Sequence, residues 1–164
     1  MSEIVLPNDT NNLGNLRGGK ILHWMDICAA ISAQRHSGHV CVTASVDNVQ
    51  FKSPIRQGEV VMIESHLNRA FRTSMEIEVN VWAENPIKGT KRVSNRAYYT
   101  FVAIDAAGTP QRVPPLRPES PEEEARFEAA AHRREFRLLL SGRMDGGDAD
   151  RLAALVRDYA KSRA

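Results

Sequence analysis

Residues 7–36, PNDTNNLGNLRGGKILHWMDICAAISAQRH, form the stretch around which the rest of the chain is organised. An Asn-rich segment leads to a Gly-Gly step, and a long, largely apolar segment with one carboxylate, Asp26, follows. Apolar residues recur there at three- and four-residue spacing, which predicts a helix from about Gly19 to His36 with Gly38 as its stop. Burying an isolated carboxylate costs free energy, so Asp26 needs a compensating role, and a catalytic site is one candidate.

The two glycines lie at the N-terminus of the predicted helix, where backbone N–H groups can bind a ligand. Gly18 and Gly19 allow the backbone to approach a bound group closely. The first N–H groups of a helix have no helical partner and lie at its positive end, which suits a polarised carbonyl or an oxyanion. Asn and Asp in residues 8–15 favour turns, so the residues alone present Asn11 as a loop former.

Period-two alternation after the helix predicts a sheet. A short strand at residues 3–6 precedes the helix, and four strands follow it, at residues 40–51, 59–69, 73–84 and 92–105. The connections are too short for parallel crossovers, which favours antiparallel pairing. The predicted fold class is α+β, with a curved antiparallel sheet wrapped around one long central helix.

The C-terminal part has a different composition. Residues 110–118 are Pro-rich and predict a linker. Ser120-Pro121-Glu122-Glu123 is a capping box that should begin a helix running to about Leu140. A Gly-rich break at 141–148 and a second helix at about 149–161 complete a C-terminal helical extension. We therefore predict one domain over residues 1–116 and an extension over 117–164.

Composition limits the classes of partner. The formal net charge is +2, which gives no general electrostatic capture of nucleic acid. A basic stretch free of acids suits a small polyanion better than a duplex, although its charges could equally be solvated: Lys88, Lys91, Arg92 and Arg96.

The same composition predicts a cytoplasmic protein without membrane insertion. The N-terminus lacks the features of a signal peptide, and no apolar run reaches the roughly 20 residues that span a bilayer. Two cysteines without CxxC spacing argue against a disulfide framework or a zinc site.

Two further chemistries are weighed and set aside. His36 and His39 have the spacing of a metal pair, but they straddle the helix end and lack a third ligand, so we expect no metal. His23 lies one turn before Asp26, but no G-x-S-x-G elbow accompanies it, which argues against a Ser–His–Asp site.

Several motifs in order resemble the HotDog-fold acyl-CoA thioesterases, in the branch of the cytosolic brain-type enzyme and its single-domain bacterial relatives. The resemblance covers about residues 3–116. It is carried by DTNNLGNLRGGKILHWMDICAAISAQRH, VTASVDNVQFKSPIRQGEVV, RTSMEIEVNVW and SNRAYYTFVAID. It implies hydrolysis of fatty acyl-CoA to a free fatty acid and CoA, with no cofactor beyond the CoA of the substrate.

The resemblance also implies roles for particular residues. The catalytic carboxylate is Asp26 of the Met-Asp pair, and Asn11 orients water or the carbonyl from the opposite subunit. Gly18 and Gly19 supply backbone donors to the thioester carbonyl. The segment Arg72-Thr73-Ser74 lies where CoA is held. Lys91 and Arg96 of the basic stretch are further candidates for CoA phosphates because of their charge, not because of the resemblance. Active sites at protomer interfaces imply a homo-oligomer, either a dimer or a trimer of dimers (a hexamer).

Some alternatives stay open at this point. From the pattern alone, Asp26 could be a structural carboxylate that caps a neighbouring strand or pairs with Arg or Lys. As a catalytic group, it could act as a general base on water or as a nucleophile. The domain could instead bind or sense acyl-CoA without catalysis, or serve only for oligomerisation. Arg17 stands where relatives often have His or Phe, and it could favour anionic groups or face solvent. The preferred acyl chain is not specified.

Overall fold

The computed structural model describes residues 1–141 and 156–157. The chain divides into two compact units, Met1–Leu116 and Arg117–Ala164. The first unit holds helix α1 (Gly18–Ser37) and five strands: β1 (Ser2–Ile4), β2 (Val40–Phe51), β3 (Val60–Ala70), β4 (Ser74–Asn85) and β5 (Thr90–Ile104). A short 3-10 helix, Pro7–Asp9, precedes α1.

The five strands form one antiparallel sheet in the order β1-β3-β4-β5-β2. Strands β1 and β2 flank α1 in the chain but lie at opposite edges of the sheet, where β1 pairs with β3 and β2 pairs with β5. Register shifts interrupt β2 at two points, and such bulges bend a strand. The predicted α+β fold, a curved antiparallel sheet around one long helix, is confirmed.

The core lies between α1 and one face of the sheet. Alternate residues of β4 from Met75 to Val81 are fully buried, together with Phe101 of β5. Met25 and Ala29 of α1 are also fully buried, and the small alanine lets the helix approach the sheet closely. Burying a side chain of the size of Met25 contributes about 1.5–3 kcal/mol.

The ends of α1 follow the predicted signals. Gly38 adopts a left-handed conformation (φ 69°) and donates its N–H to the Gln34 carbonyl at 2.9 Å, which ends the helix. The helix begins at Gly18, one residue earlier than predicted, because Arg17 is the last residue with an extended backbone.

Some apolar residues of the first unit lie outside this core. Ile27 and Ile31 of α1 are 37% and 43% exposed, although the spacing of Ile31 matched the apolar pattern of the helix. On the edge strand β2, Val40, Val42 and Val46 are 63%, 43% and 41% exposed. By the strand register, Val46 lies on the α1 side of β2, whereas Val40 and Val42 lie on the opposite face. We call Ile27, Ile31 and Val46 the apolar edge surface.

The second unit contains helix α2 (Pro121–Leu140). Ser120 caps it by accepting the N–H of Glu123 at 3.2 Å, as predicted. A capping box would also have the Glu123 carboxylate accept the N–H of Ser120, but it accepts the N–H of the preceding residue, Glu119, at 2.7 Å. The helix predicted at 149–161 lies outside the described residues except at 156–157. Among the described residues, no helix is long and apolar enough to cross a membrane.

Candidate active site

Asp26 lies on α1 where the helix faces strand β2. Its Oδ1 accepts the hydroxyl proton of Thr43 at 2.6 Å. The residue is half-buried, so the cost of its charge is lower than for a carboxylate enclosed in the core. The short hydrogen bond fixes the orientation of the carboxylate and leaves Oδ2 available to a reacting group.

A buried phenol lies in the same neighbourhood. Tyr99 of β5 is 1% exposed and donates its hydroxyl proton to the Leu22 carbonyl, one turn before Asp26, at 3.3 Å. Burial, together with the negative charge of Asp26, holds the pKa of Tyr99 well above its usual range. Tyr99 therefore stays neutral at physiological pH and acts as a fixed donor that braces this turn of the helix.

Asn11 lies in the loop before α1, and its side chain organises that loop. Its Oδ1 accepts the N–H groups of Leu13 at 2.9 Å and Asn15 at 3.2 Å. Because the oxygen is used inside the loop, the Nδ2 group is the part that Asn11 can offer to a ligand. The loop-forming role and the ligand-orienting role predicted for Asn11 therefore use different atoms of the same side chain.

Arg17 and Lys20 are engaged within this region. The Arg17 guanidinium donates to the carbonyl of Asn8. Lys20 forms an ion pair with the buried Asp9 at 3.2 Å and lies over the ring of Trp24. The Arg17 side chain thus stabilises the loop that precedes α1 by bonding to its backbone.

The two glycines at the start of α1 have no conformational reason to be glycine. Neither has a positive φ. A Cβ on Gly19 would meet nothing within 4 Å, and one on Gly18 would make an ordinary 3.4 Å contact with the Phe51 ring. Within the described part of the chain, their N–H groups donate to no acceptor, since Arg17 caps the helix without a side-chain bond. Open space in front of two unpaired amides is a suitable place for an anion or a carbonyl oxygen.

These groups do not converge within one chain. Gly19 and Asp26 are seven residues apart on one helix, a rise of about 10 Å. A thioester carbonyl at the Gly19 amide would therefore lie out of reach of the same chain's Asp26. The geometry requires a carboxylate and an amide donor from different chains if both act on one substrate.

The residues predicted to hold CoA are also divided. Arg72, Thr73 and Ser74 lie at the hairpin between β3 and β4, whereas Lys91 lies just beyond the hairpin between β4 and β5. The twelve residues of β4 separate these hairpins by roughly 35 Å. Ser74 is paired through β5 with the part of β2 next to Thr43, so the Arg72 segment shares the Asp26 end of the sheet.

Two of the predicted cations have local partners. Arg96 donates to the Asn80 side chain at 2.9 Å and pairs with Glu78 at 3.2 Å on the sheet face away from α1. The ammonium of Lys91 lies 4.8 Å from the centre of the Trp82 ring. Arg72 is exposed at its turn and is the cation of the set nearest to Asp26 along the sheet register.

The histidine pair is placed differently from a metal site. A ring nitrogen of His36 contacts the Pro114 carbonyl at 2.8 Å, and the N–H of His39 donates to the hydroxyl of Ser37. Within residues 1–141 and 156–157, no three His, Cys, Asp or Glu side chains come close enough together to hold a metal ion.

The sequence does not indicate Thr43, and it presents Tyr99 as a sheet residue first and a ligand contact only second. Period-two alternation marks both as strand positions, but it does not show which strands lie beside the helix in space. The sequence signal that could have indicated Thr43 is a hydroxyl side chain in the first half of the strand that follows the helix of Asp26.

A family model described as the thioesterase superfamily matches residues 13–90. An uncharacterized acyl-CoA thioester hydrolase of Bacillus subtilis is 42% identical over 119 residues, which are 73% of this chain and 69% of that protein. Mouse acyl-coenzyme A thioesterase 11 is 39% identical over 139 residues, 85% of this chain. The chain spans only about a quarter of the length of the mouse acyl-coenzyme A and acetyl-coenzyme A thioesterases that it matches.

Solved structures give the same relationship. An apo-hexameric acyl-CoA thioesterase superposes with a TM-score of 0.83 at 38% identity, covering 86% of this chain and 90% of that one. The acyl-CoA hydrolase of Staphylococcus aureus, in complex with butyryl coenzyme A, coenzyme A and coenzyme A disulfide, superposes with a TM-score of 0.78 at 32% identity, covering 87% and 88%.

Three variant structures of that Staphylococcus aureus enzyme carry alanine in place of an aspartate, a threonine and an asparagine. They superpose with TM-scores of 0.77–0.78 at 29–32% identity, over 87–100% of this chain and 89–92% of theirs. The asparagine precedes the aspartate by 15 residues and the threonine follows it by 17. Asn11, Asp26 and Thr43 have the same spacing here. The chain belongs to the HotDog-fold acyl-CoA thioesterase family of the thioesterase superfamily.

Proposed function

We propose that this chain hydrolyses acyl-CoA thioesters, with Asp26 as the catalytic carboxylate. The observation that carries the proposal is the half-buried Asp26 held by Thr43 at 2.6 Å, with the spacing to Asn11 and Thr43 that three varied residues have in a related hydrolase. Water attacks the thioester carbon, the C–S bond breaks, and the products are the carboxylic acid and the CoA thiol.

Each side chain has a defined part in this reaction. Thr43 holds one oxygen of Asp26, so the other oxygen faces the reacting groups. As a general base, Asp26 takes a proton from the attacking water; as a nucleophile, it forms a mixed anhydride that water then cleaves. Hydroxylamine separates the two courses, because it converts the Asp26 carbonyl of a mixed anhydride to a hydroxamate on the protein, whereas general-base catalysis leaves Asp26 unmodified. The readout is therefore modification of Asp26, and the free acyl hydroxamate that hydroxylamine forms from the thioester itself does not count.

The carbonyl oxygen of the substrate lies at the amides of Gly18 and Gly19 of a second copy of the chain. Removing one such donor typically costs about 2.7–4 kcal/mol of barrier, so their placement is decisive. The Nδ2 group of Asn11 belongs to the same end of that copy and orients the water or the carbonyl. The exposed Arg72, close to the Asp26 end, is the candidate cation for a CoA phosphate.

A homodimer brings these halves together. The apolar edge surface supports it, because three exposed apolar side chains of α1 and β2 lie on the side of the sheet where Thr43 meets Asp26. Dimers of this kind can assemble further, and a related acyl-CoA thioesterase is hexameric. We infer that the protein acts in the cytoplasm. In the proposed reaction CoA enters as part of the substrate, and no other cofactor takes part.

Release of the CoA thiol from a panel of acyl-CoAs of increasing chain length tests the proposal. We expect turnover by the wild type and a loss of at least about 10³-fold in Asp26→Asn, with unchanged assembly. Glu64→Gln, which neutralises an exposed carboxylate on β3, is the control and should keep full activity. Turnover of Asp26→Asn near the wild-type rate would remove the assignment. CoA binding without thiol release by the wild type would instead identify a non-catalytic acyl-CoA-binding domain.

A further inference from the structure

An ion pair with a buried carboxylate lies next to the loop of Asn11. Glu59, which is 7% exposed and directly precedes β3, receives two hydrogen bonds from the Arg92 guanidinium, each 2.7 Å long. Arg92 also donates to the Pro54 carbonyl at 2.7 Å, and Glu59 accepts the N–H of Arg56 at 2.8 Å. One carboxylate and one guanidinium therefore fix both ends of the turn formed by residues 54–59, which we call the clamp turn.

The clamp turn in turn holds the loop that carries Asn11. The N–H of Leu16 donates to the Ile55 carbonyl at 2.7 Å, and the N–H of Gln57 donates to the Gly14 carbonyl at 3.1 Å. Within the loop, Asn11 and Asn15 are joined by a backbone hydrogen bond of 2.8 Å in addition to the side-chain bond. A continuous chain of hydrogen bonds thus leads from the ion pair to Asn11.

We propose that Glu59 and Arg92 are positioning residues of the active site, which set the location of Asn11 through the clamp turn. The inference rests on the proposed function for its catalytic part, and on the hydrogen bonds alone for its structural part. Neither residue contacts the reacting atoms. They act through Asn11, and a displacement of about 1 Å at a group of this kind can cost about 10²-fold in rate.

The electrostatics of the pair support a permanent, rigid connection. The Arg92 hydrogen bonds hold the pKa of Glu59 below its ordinary value, and the same contact raises the pKa of Arg92. Both groups therefore stay charged across the physiological range. The two-pronged contact also fixes the plane of each group, which a single hydrogen bond to a lysine would not do.

The chain offers a matched control for Glu59. Glu78 is 6% exposed on β4 and is also paired with an arginine of β5, but that pair lies at Asn80 and has no bond to the clamp turn. Glu59→Gln and Glu78→Gln are the same substitution at equal burial. Only the first should affect the Asn11 loop.

Hydrogen exchange tests the structural part without any activity measurement. In Glu59→Gln, the Leu16 and Gln57 amides should exchange at least about tenfold faster than in the wild type, whereas amides paired between β4 and β5 should not change. Glu78→Gln should leave both loop amides protected. Unchanged protection of Leu16 and Gln57 in Glu59→Gln would overturn the inference, whatever the activity.

Kinetics with an acyl-CoA test the catalytic part. Glu59→Gln and Arg92→Met should lower kcat by about 10–100-fold with little change in KM, and Arg92→Lys should recover part of the loss. The double variant Asn11→Ala/Glu59→Gln should be no slower than Asn11→Ala, because both changes remove the same contribution. Multiplicative losses, or equal rates for Glu59→Gln and Glu78→Gln, would overturn the positioning role. If Asn11→Ala itself keeps full turnover, the proposed function of Asn11 fails, and exchange alone decides whether the clamp exists.

Discussion

At the scale of single residues, the carboxylate of Asp26 is held by a side chain from a different element. Thr43 lies 17 residues later, on β2, and its hydroxyl is 2.6 Å from Oδ1. A hydrogen bond to a charged group contributes about 1.5–3 kcal/mol, so the orientation of Asp26 depends measurably on this one hydroxyl.

Thr43→Val removes that hydroxyl while keeping nearly the same shape. We expect kcat to fall by about 10–100-fold, because the carboxylate loses its fixed orientation. Thr43→Ser retains the donor and should stay within a few-fold of the wild type in the same thiol-release assay. Equal rates for the Val and Ser variants would show that the hydroxyl has no catalytic part.

Tyr99 gives a prediction about alkaline stability. Its pKa is raised in the folded protein by burial and by Asp26, so the unfolded chain loses the phenolic proton first. The stability that depends on neutral Tyr99 is complete below its ordinary pKa of 10.0 and decreases as the pH rises above that value. Urea unfolding between pH 9 and pH 11 should show this decrease in the wild type and a smaller one in Tyr99→Phe (an approximate range set by tyrosine titration). Parallel curves for the two proteins would contradict the assignment.

The sequence indicated Asp26 but neither of these partners. An isolated carboxylate in an apolar helix is visible as a local exception, whereas the neighbours of Asp26 depend on strand order. Strand β2 pairs with β5, which places Tyr99 and Thr43 at successive turns of α1, where they contact Leu22 and Asp26. No local pattern encodes that pairing.

At the scale of elements, helices and strands were predicted to within about two residues because their patterns are strong. Strand β4 alternates without interruption up to Val81, and Gly38 and Ser120 mark helix ends by backbone chemistry. The CoA-binding role of these cations stays a prediction. Arg72 lies before β4 and Lys91 lies after it, so the length of that strand separates them, and this separation follows from the sequence pattern.

The start of α1 gives a prediction that separates a functional glycine from a structural one. Gly19 has a helical backbone and open space at its Cβ, so Gly19→Ala should keep or slightly increase the free energy of unfolding, by about 0.4–1 kcal/mol. The added methyl group should nevertheless hinder a carbonyl at the amide and lower kcat/KM by about tenfold or more. Urea unfolding and thiol release measure the two effects.

Gly38→Ala is the contrasting control for Gly19→Ala. Its φ of 69° is unfavourable for alanine, so this variant should lose stability while its kcat/KM per folded molecule is unchanged. A Gly19→Ala enzyme with normal kcat/KM would mean that no substrate group approaches this amide.

At the scale of the whole molecule, the proposed site is divided between two chains. The Gly19 amide and the Asp26 carboxylate are separated by about 10 Å of helix. The apolar edge surface is exposed beside Thr43, where a second chain would cover it. In the proposed function, a symmetric dimer forms two equivalent sites, each with Asp26 from one chain and Asn11, Gly18 and Gly19 from the other.

Mixing two inactive variants tests this arrangement most directly. Asn11→Ala and Asp26→Asn chains, produced together with different affinity tags, should form mixed dimers in which one site has both wild-type residues and the other has neither. Random pairing predicts about one quarter of the wild-type thiol release for the whole pool, and about half for purified mixed dimers. Asn12→Ala, a change to the exposed neighbour of Asn11, should keep full activity as the control. Mixed dimers no more active than the two single variants would contradict a site shared between two chains.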